Sequence, residues 1–200
     1  QRQMCIRDRA VPSETLTQAL MTLRSDLDAA SRVRQPPLAL SRGLLPLLQR
    51  GVSDATGGVY LGQGGLEHHI VAAQRQPMVL VLFSPTQSLR RLHRAMGVAL
   101  AASGTADELL RLWSSEGRTR LREVLVDALG DSLEASDVLT AVDAHPNVGR
   151  WLIQLAATHR ELGVRSLFTD VDQFTYISRL WRQGHAIALV SSVDGSITMG

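Results

Sequence analysis

The sequence predicts an α/β protein in which helices flank an antiparallel sheet, followed by a helical linker and the start of a second α/β unit. Three β-prone runs, Val59 to Leu61, Leu66 to Ala73 and Met78 to Phe83, are separated by the turn-forming segments Gln63-Gly64-Gly65 and Arg75-Gln76-Pro77. Apolar side chains then repeat at helical spacing, at Leu89, Leu92, Met96 and Leu100. We therefore predict a β-hairpin and a further strand that lead into an amphipathic helix.

The composition indicates a packed protein that does not bind nucleic acid. The hydrophobic content of 44% is sufficient for a core. The formal charge is only +2, and the 21 basic residues, all arginine, are interleaved with 19 acids instead of forming a basic patch. No run of about 18 apolar residues and no leader segment is present, so we expect a cytoplasmic protein. The single cysteine, Cys5, excludes a disulfide framework and a cysteine-rich zinc site.

The two ends of the chain carry signs of truncation. Residues 1–9 resemble the translated read-through of a sequencing adapter, and Ser196 to Gly200 stops within a predicted strand. We divide the remainder into a partial α/β domain over residues 10–104, a helical linker over 105–163 and a truncated second α/β domain over 164–200.

Two helices are expected before the first β-prone run. Ser13 can cap a helix whose leucines recur from Leu16 to Leu27. After Pro36-Pro37, a second, leucine-rich helix is predicted from Leu38 to Leu48, with Pro46 inside it. Its leucines cover too much of the circumference for a surface helix, so the sequence places this helix against a sheet or against a partner protein.

The second half of the chain is mainly helical. A first helix is capped by Thr105 and runs through Trp113, a second runs from Arg118 to Leu129 and is closed by Gly130, and a helical turn follows from Ser136 to Val142. A further helix is predicted from Val148 to Leu162 after Asn147, and a strand from Val164 to Phe168. The last elements are a helix from Phe174 to Trp181 that Gly184 ends, and a strand from Ala186 to Val190 that turns at Asp194-Gly195.

Two clusters of residues are candidate ligand sites. A phosphate cradle at Gly62-Gln63-Gly64-Gly65 requires a strand before it and a helix after it, and the predicted second strand makes a hairpin turn the preferred interpretation. His68 and His69 are neighbours on that predicted strand and would point to opposite faces. With His93 they find no carboxylate or cysteine at ligand spacing, so we expect surface or rim histidines and no metal.

The remaining polar candidates indicate no catalytic group. Asp170 and Asp172 follow a predicted strand, where α/β enzymes often carry acids, but a helix-capping turn is the preferred interpretation. Ser84 lacks the glycine elbow of a nucleophile. Three tryptophans fall on predicted helices, where core packing is expected: Trp113, Trp151 and Trp181. We therefore predict no catalytic residue and no cofactor.

The arrangement from residue 38 to about residue 130 resembles a longin or roadblock-type domain. More narrowly, it is similar to the first longin domain of the SAND (Mon-type) vacuolar-fusion proteins. The residues that carry this resemblance are Ile70-Val71, Arg75, Pro77, Leu80-Val81, Ser84, Ser88-Leu89 and Leu92.

The resemblance implies a non-catalytic trafficking adaptor, a subunit of a guanine-nucleotide exchange complex for a Rab-type GTPase in endosome or vacuole fusion. The implied partners are a longin-domain protein and the small GTPase, with peripheral membrane association through the complex. An exposed face of the leucine-rich helix would bind them, through Arg42, Leu44, Leu45, Leu48 and Arg50.

Two alternatives remain open at this point. Ser191 to Ser196 resembles the opening strand and turn of the dihydrofolate-reductase-like domain of riboflavin-pathway reductases, which would make the protein an enzyme whose reductase-like domain begins near Ala186. A generic hairpin turn produces the same pattern. The other alternative is a bacterial roadblock-type scaffold that regulates a GTPase.

Overall fold

The computed structural model describes residues 57–130 and 132–190. The elements are β1 (Val59–Gln63), α1 (His68–Arg75), β2 (Val79–Ser84), α2 (Gln87–Ala102), α3 (Ala106–Leu112), α4 (Arg118–Leu129), α5 (Leu133–Ala144), α6 (Val148–Glu161), α7 (Val171–Arg182) and β3 (Ala186–Val190). None of the helices in these ranges has the length and apolar character that crossing a bilayer requires.

The sheet is parallel, which makes the predicted antiparallel fold wrong. The strands lie in the order β1-β2-β3, and both pairs run parallel, with Val59 opposite Val79 and Leu80 opposite Ala186. The cause is the segment predicted as a second strand, which forms helix α1 instead. A helix between two neighbouring strands carries the chain back to the starting edge of the sheet, so the second strand runs parallel to the first.

Helix α1 forms because the spacing of the apolar side chains in and just before it fits one face of a helix as well as a strand. Leu66, Ile70 and Ala73 recur at spacings of four and three, and all three are buried in the main core. The β-branched residues Ile70 and Val71 favoured a strand in isolation. The helix ends at Gln76, which adopts a left-handed conformation with φ of 47°, and Pro77 follows.

A second correction concerns the segment after α6. The predicted strand Val164 to Phe168 is a turn, in which the hydroxyl groups of Ser166 and Thr169 bond to nearby backbone. The strand that follows α7 was confirmed as β3, but it pairs with β2. It therefore belongs to the same sheet as β1 and β2 and does not begin a second α/β unit.

Helix α2 is the centre of the core. Its predicted apolar face was confirmed, since Leu89, Leu92, Met96 and Leu100 are all at most 3% exposed. Thr86 caps it, because the Thr86 hydroxyl oxygen accepts a hydrogen bond from Leu89 N at 3.2 Å. The helix contacts β2, β3 and the helices α4, α5 and α7. Its N-terminus lies beside the end of β2, so α2 carries the chain away from the carboxyl edge of the sheet.

The two faces of the sheet belong to different apolar clusters. Leu80 and Leu82 on β2 pack into the main core with α1, α2 and α7, whereas the alternate residues Val79 and Val81 form a smaller cluster with Leu189 on the other face. Strands that are buried on both faces read as continuous apolar runs, and parallel sheets require such strands. The run from Met78 to Phe83 was correctly predicted to be a strand, and its continuous apolar character fits burial on both faces.

Most helix boundaries in the second half agree with the sequence. Thr105 caps α3, Gly130 ends α4 and Asn147 precedes α6, as predicted. Helix α5 is longer than the predicted turn, and Ser132 caps it by accepting a hydrogen bond from Ala135 N. The two predicted helices before residue 57 lie outside the described residues.

Candidate functional site

The carboxyl ends of the parallel strands meet at one edge of the sheet, and the glycine-rich segment lies there. Gly62-Gln63-Gly64-Gly65 covers the last two residues of β1 and the start of the turn into α1, so the prediction of a hairpin turn was wrong. Gly64 N donates a hydrogen bond to Phe83 O at 3.1 Å, which fastens the loop to the end of β2. A glycine-rich loop between a parallel strand and a helix is the arrangement in which α/β proteins bind nucleotides. We call residues 62–67 the glycine loop.

Three positions of the glycine loop require glycine, for two different reasons. Gly64 has φ of +122°, a conformation that side chains rarely permit. A Cβ at Gly62 would lie 2.8 Å from the His68 ring, and a Cβ at Gly65 would overlap the Glu67 carboxyl group. The side chains of Glu67 and His68 therefore fold back onto the loop backbone, and the missing Cβ atoms make room for them.

Glu67 is the most unusual side chain of the glycine loop. It is 5% exposed, and its Oε1 accepts a hydrogen bond from Gly65 N at 3.2 Å. Its other oxygen, Oε2, is buried and has no hydrogen-bond partner among the described residues. Burial raises the pKa of the Glu67 carboxyl, although its own backbone amide, His68 and the Gly65 amide oppose this rise. A buried, unpaired carboxyl oxygen is uncommon in folded proteins and is typical of functional sites.

His68 and Tyr60 form the wall beside Glu67. His68 Nε2 donates a hydrogen bond to Gln63 O at 2.9 Å, so its Nδ1 is the acceptor for the Tyr60 hydroxyl at 2.7 Å. Burial raises the pKa of Tyr60 to about 12, although the charge of Arg75 opposes this rise. The raised pKa keeps the Tyr60 hydroxyl protonated, so it can donate to His68. Both side chains are thus committed to the protein, whereas Glu67 Oε2 is an acceptor of this group that has no hydrogen-bond partner among the described residues.

Ser84 ends β2 at the same edge. Its side chain is fully buried, and its Oγ has no hydrogen-bond partner among the described residues. Ser84 follows Leu80 and Leu82 at alternate positions, so it lies on the face of the sheet that the helices cover. Two buried oxygens without partners among the described residues therefore lie at the carboxyl ends of neighbouring strands, Ser84 Oγ at the end of β2 and Glu67 Oε2 just after β1.

The histidine prediction was wrong for two of the three residues. His69 and His93 are buried, at 2% and 0% exposed, and their rings are in contact. His69 Nε2 lies 3.2 Å from His93 Nδ1, His93 Nε2 lies 2.8 Å from Gly64 O, and Trp181 Nε1 donates to His69 Nδ1 at 3.3 Å. His69 was placed on a strand, whereas it lies on α1 and turns inward, and His93 lies on the buried face of α2. No group of three or more metal-ligating side chains occurs within residues 57–130 and 132–190.

A separate cavity of about 260 Å³ lies at the far end of α2, lined by residues that include Thr105, Arg160 and Asp170. Helix α2 has 16 residues and is therefore about 24 Å long, which separates this cavity from the glycine loop. Its polar groups are already paired, since Arg160 contacts Asp107 at 3.1 Å. Asp170 caps α7 by accepting hydrogen bonds from Asp172 N and Gln173 N, as the predicted capping turn required.

The other sequence-based candidates fall in two groups. The proposed partner-binding residues Arg42, Leu44, Leu45, Leu48 and Arg50 lie outside the described residues, as does the turn from Ser191 to Ser196. The tryptophans lie in or next to helices, and Trp113 and Trp181 are buried as predicted.

Glu67 was missed, because the segment that contains it was assigned to a strand. The spacing of Leu66, Ile70 and Ala73 was the signal that could have found it.

A known family model covers the part of the chain that contains the glycine loop. A family model described as a domain of unknown function (DUF7790) matches residues 45–200, which is well over half of the chain. No curated protein matches the sequence. The matched region includes every element that the structure describes.

Proposed function

We propose that this chain, which belongs to the DUF7790 family, binds a nucleoside-type small ligand at the carboxyl edge of its parallel sheet, with Glu67 as the residue that recognises it. The observation that carries the proposal is the free carboxyl oxygen of Glu67 inside a strand–glycine loop–helix unit. In open parallel sheets, ligands bind outside the carboxyl ends of the strands. The glycine loop occupies this position.

The charge of the glycine loop argues against a phosphate as the group that it holds. Gly65 N, a donor that a phosphate would use, already bonds to the Glu67 carboxyl. The first-turn amides of His68 and His69 bond to Gly65 O and Leu66 O. A phosphate would therefore find its donors occupied and would meet a carboxyl group where α/β proteins usually offer free amides.

A neutral or cationic group fits the same place. Glu67 Oε2 can accept a hydrogen bond from a hydroxyl or an amino group, and a ribose hydroxyl is the group that an acid recognises in dinucleotide-binding folds. A ligand that donates to this oxygen would supply the hydrogen bond that burial otherwise denies it, which makes donation to a buried carboxyl favourable. The proposed ligand class is therefore a nucleoside, or a nucleoside derivative whose phosphate-free part meets the loop.

Calorimetry on the purified 200-residue chain tests this proposal. Each of the four common ribonucleosides and inorganic phosphate is titrated into the wild type, into Glu67→Gln and into Glu123→Gln. The Glu67→Gln side chain keeps the size of glutamate but can place an N–H where the free acceptor was. Glu123 is an exposed residue of α4 that pairs with Arg120, so its variant is the matched control.

We expect at least one nucleoside to bind, with about a tenfold or larger loss of affinity in Glu67→Gln and none in Glu123→Gln. Phosphate should not bind measurably. Binding of phosphate in preference to every nucleoside, or nucleoside binding that Glu67→Gln leaves unchanged, would contradict the proposal, as would a folded wild type that binds none of these compounds.

The trafficking role stays a prediction without support from the described residues. It followed from a longin resemblance, whereas the sheet within residues 57–190 is parallel and not the antiparallel sheet of a longin domain. Its proposed interface, Leu44 and its neighbours, lies outside the described residues. The cytoplasmic location and the peripheral membrane association also stay predictions. Retention of a small GTPase or a longin protein by the wild type, and not by a Leu44→Asp variant of equal folding, would support this role.

A further inference from the structure

We propose that His93, together with His69 and Trp181, is a positioning residue that fixes the orientation of the Gly64–Gly65 peptide and thereby holds the Glu67 carboxyl in place. This inference rests on the proposed function for its biological meaning, but its structural part can be tested without a ligand. We call Trp181, His69 and His93 the buried relay.

The hydrogen bonds of the buried relay have one direction only. An indole nitrogen can only donate, so His69 Nδ1 is the acceptor of the bond from Trp181 Nε1. A neutral His69 therefore carries its hydrogen on Nε2 and donates it to His93 Nδ1. His93 in turn carries its hydrogen on Nε2 and donates it to Gly64 O, at 2.8 Å. Every ring nitrogen of the two histidines is used.

Both histidines are held neutral by their surroundings. Burial is the main reason why the pKa of His69 falls well below its ordinary value, with smaller contributions from His93 and His68. Burial also lowers the pKa of His93 to about 4, although its bond to Gly64 opposes this fall. A proton added to either ring would have to replace one of the accepting bonds of the relay, so the directed arrangement requires the neutral form.

The relay begins on a rigid support. The Trp181 ring lies against the backbone of α2 at Gly97, where a Cβ atom would collide with the ring. Gly97 and His93 are four residues apart on α2, so they lie on the same face of that helix. The ring of His69 stacks on Trp181 with 5.6 Å between the ring centroids. Helices α1, α2 and α7 thus fix the three side chains relative to one another.

The end of the relay controls Glu67 through one peptide plane. Gly64 C=O and Gly65 N–H belong to the same trans peptide unit and therefore point in opposite directions. His93 holds the carbonyl toward the core, which directs the Gly65 N–H to Glu67 Oε1 at 3.2 Å. Gly64 has no side chain and adopts φ of +122°, so its own conformation permits rotation of this peptide. The bond of Gly64 N to Phe83 O restrains the preceding peptide, whereas the Gly64–Gly65 peptide itself bonds to His93 through its carbonyl and to Glu67 through its N–H.

Two substitutions of His93 separate a positioning role from simple filling of space. His93→Gln can keep both bonds, because its amide group can donate to Gly64 O and accept from His69 Nε2–H. His93→Phe keeps an aromatic ring of similar shape but has neither a donor nor an acceptor. The pKa of the Glu67 carboxyl is measured by nuclear magnetic resonance in the full chain of the wild type and of both variants, with circular dichroism as the check of folding.

In His93→Phe, we expect the Glu67 pKa to rise by about one unit, because the Gly65 N–H that lowers it is no longer held in place. In His93→Gln, the Glu67 pKa should stay at its wild-type value. A Glu67 titration that is the same in all three proteins would overturn the proposal. Nucleoside affinity should fall about tenfold in His93→Phe alone. Absence of nucleoside binding in the wild type would refute the proposed function without touching the result on Glu67.

A second measurement keeps the inference testable if His93→Phe does not fold. The ring nitrogens of the histidines in the wild-type chain are assigned by nitrogen-15 resonance at neutral pH. The relay requires the hydrogen on Nε2 in both His69 and His93. A hydrogen on Nδ1 of either ring would overturn the inference.

Discussion

Acid should destabilise this protein through its two buried histidines, and His93 gives the clearest magnitude. Burial lowers the pKa of His93 from 6.5 to about 4 in the folded state, whereas the unfolded chain keeps the ordinary value. Above pH 6.5 neither state binds the proton, so the group has no effect on stability there. As the pH falls below 6.5, only the unfolded state takes up the proton, and the free energy of unfolding decreases.

The size of this effect follows from the difference between the two pKa values. Each pH unit over which only the unfolded state is protonated removes about 1.4 kcal/mol from the free energy of unfolding. The loss from His93 alone should reach about 2 kcal/mol at pH 5 and about 3 kcal/mol near pH 4, where the folded state begins to bind the proton as well. His93 is fully buried, so solvent screening does not reduce this figure.

Urea unfolding of the wild type and of His93→Gln, followed by circular dichroism at about pH 7.5 and about pH 5, measures this contribution. His69 titrates in both proteins, so the difference between them isolates His93. The wild type should lose about 2 kcal/mol more than His93→Gln over this interval. An equal loss in the two proteins would refute the assignment of a neutral, buried His93.

Two further predictions concern the supports of the fold and can be checked by urea unfolding. Gly97→Ala should destabilise the protein by about 1–3 kcal/mol, because the added Cβ collides with the Trp181 ring, and a change below about 0.5 kcal/mol would disprove that close packing. Thr105→Ala should remove about 1 kcal/mol, because the Thr105 hydroxyl oxygen caps α3 by accepting from Glu108 N at 3.2 Å. Thr140→Ala, inside α5, is its control and should destabilise less, since Thr140 only donates to Ser136 O within its own helix.

The parts of the fold that depend on local signals could be predicted from the sequence. The spacing of leucine and methionine side chains defined α2, and Thr105, Gly130 and Asn147 marked helix ends correctly. Each of these signals involves residues within one or two helical turns of one another. Local propensity and capping therefore determine these elements before tertiary contacts are considered.

The topology could not be predicted, because it depended on one ambiguous segment. The run around Ile70-Val71-Ala72-Ala73 is apolar, short and partly β-branched, and periodicity does not distinguish a strand from a buried helix at that length. Its assignment as a strand produced the antiparallel sheet and the hairpin interpretation of the glycine loop. The same assignment placed His69 on an exposed face. Reassigning this single segment to a helix corrects all three.

The candidate site could be predicted only in part. The glycine pattern from Gly62 to Gly65 was recognised, together with the structural condition under which it would matter. Glu67 and the relay could not be inferred, because they bring together residues of α1, α2 and α7 that are distant in sequence. Such contacts arise from packing, which single-sequence patterns do not encode.

The central claim is that the glycine loop recognises a nucleoside through Glu67 and does not cradle phosphate. The most direct measurement is a nitrogen-15 amide spectrum of the 200-residue chain during separate titrations with the ribonucleosides and with inorganic phosphate. We predict that the amide resonances of Gly64 and Gly65 shift with a nucleoside, keep their positions with phosphate and lose the response in Glu67→Gln. Shifts of these two amides with phosphate, or their indifference to every nucleoside, would contradict the account.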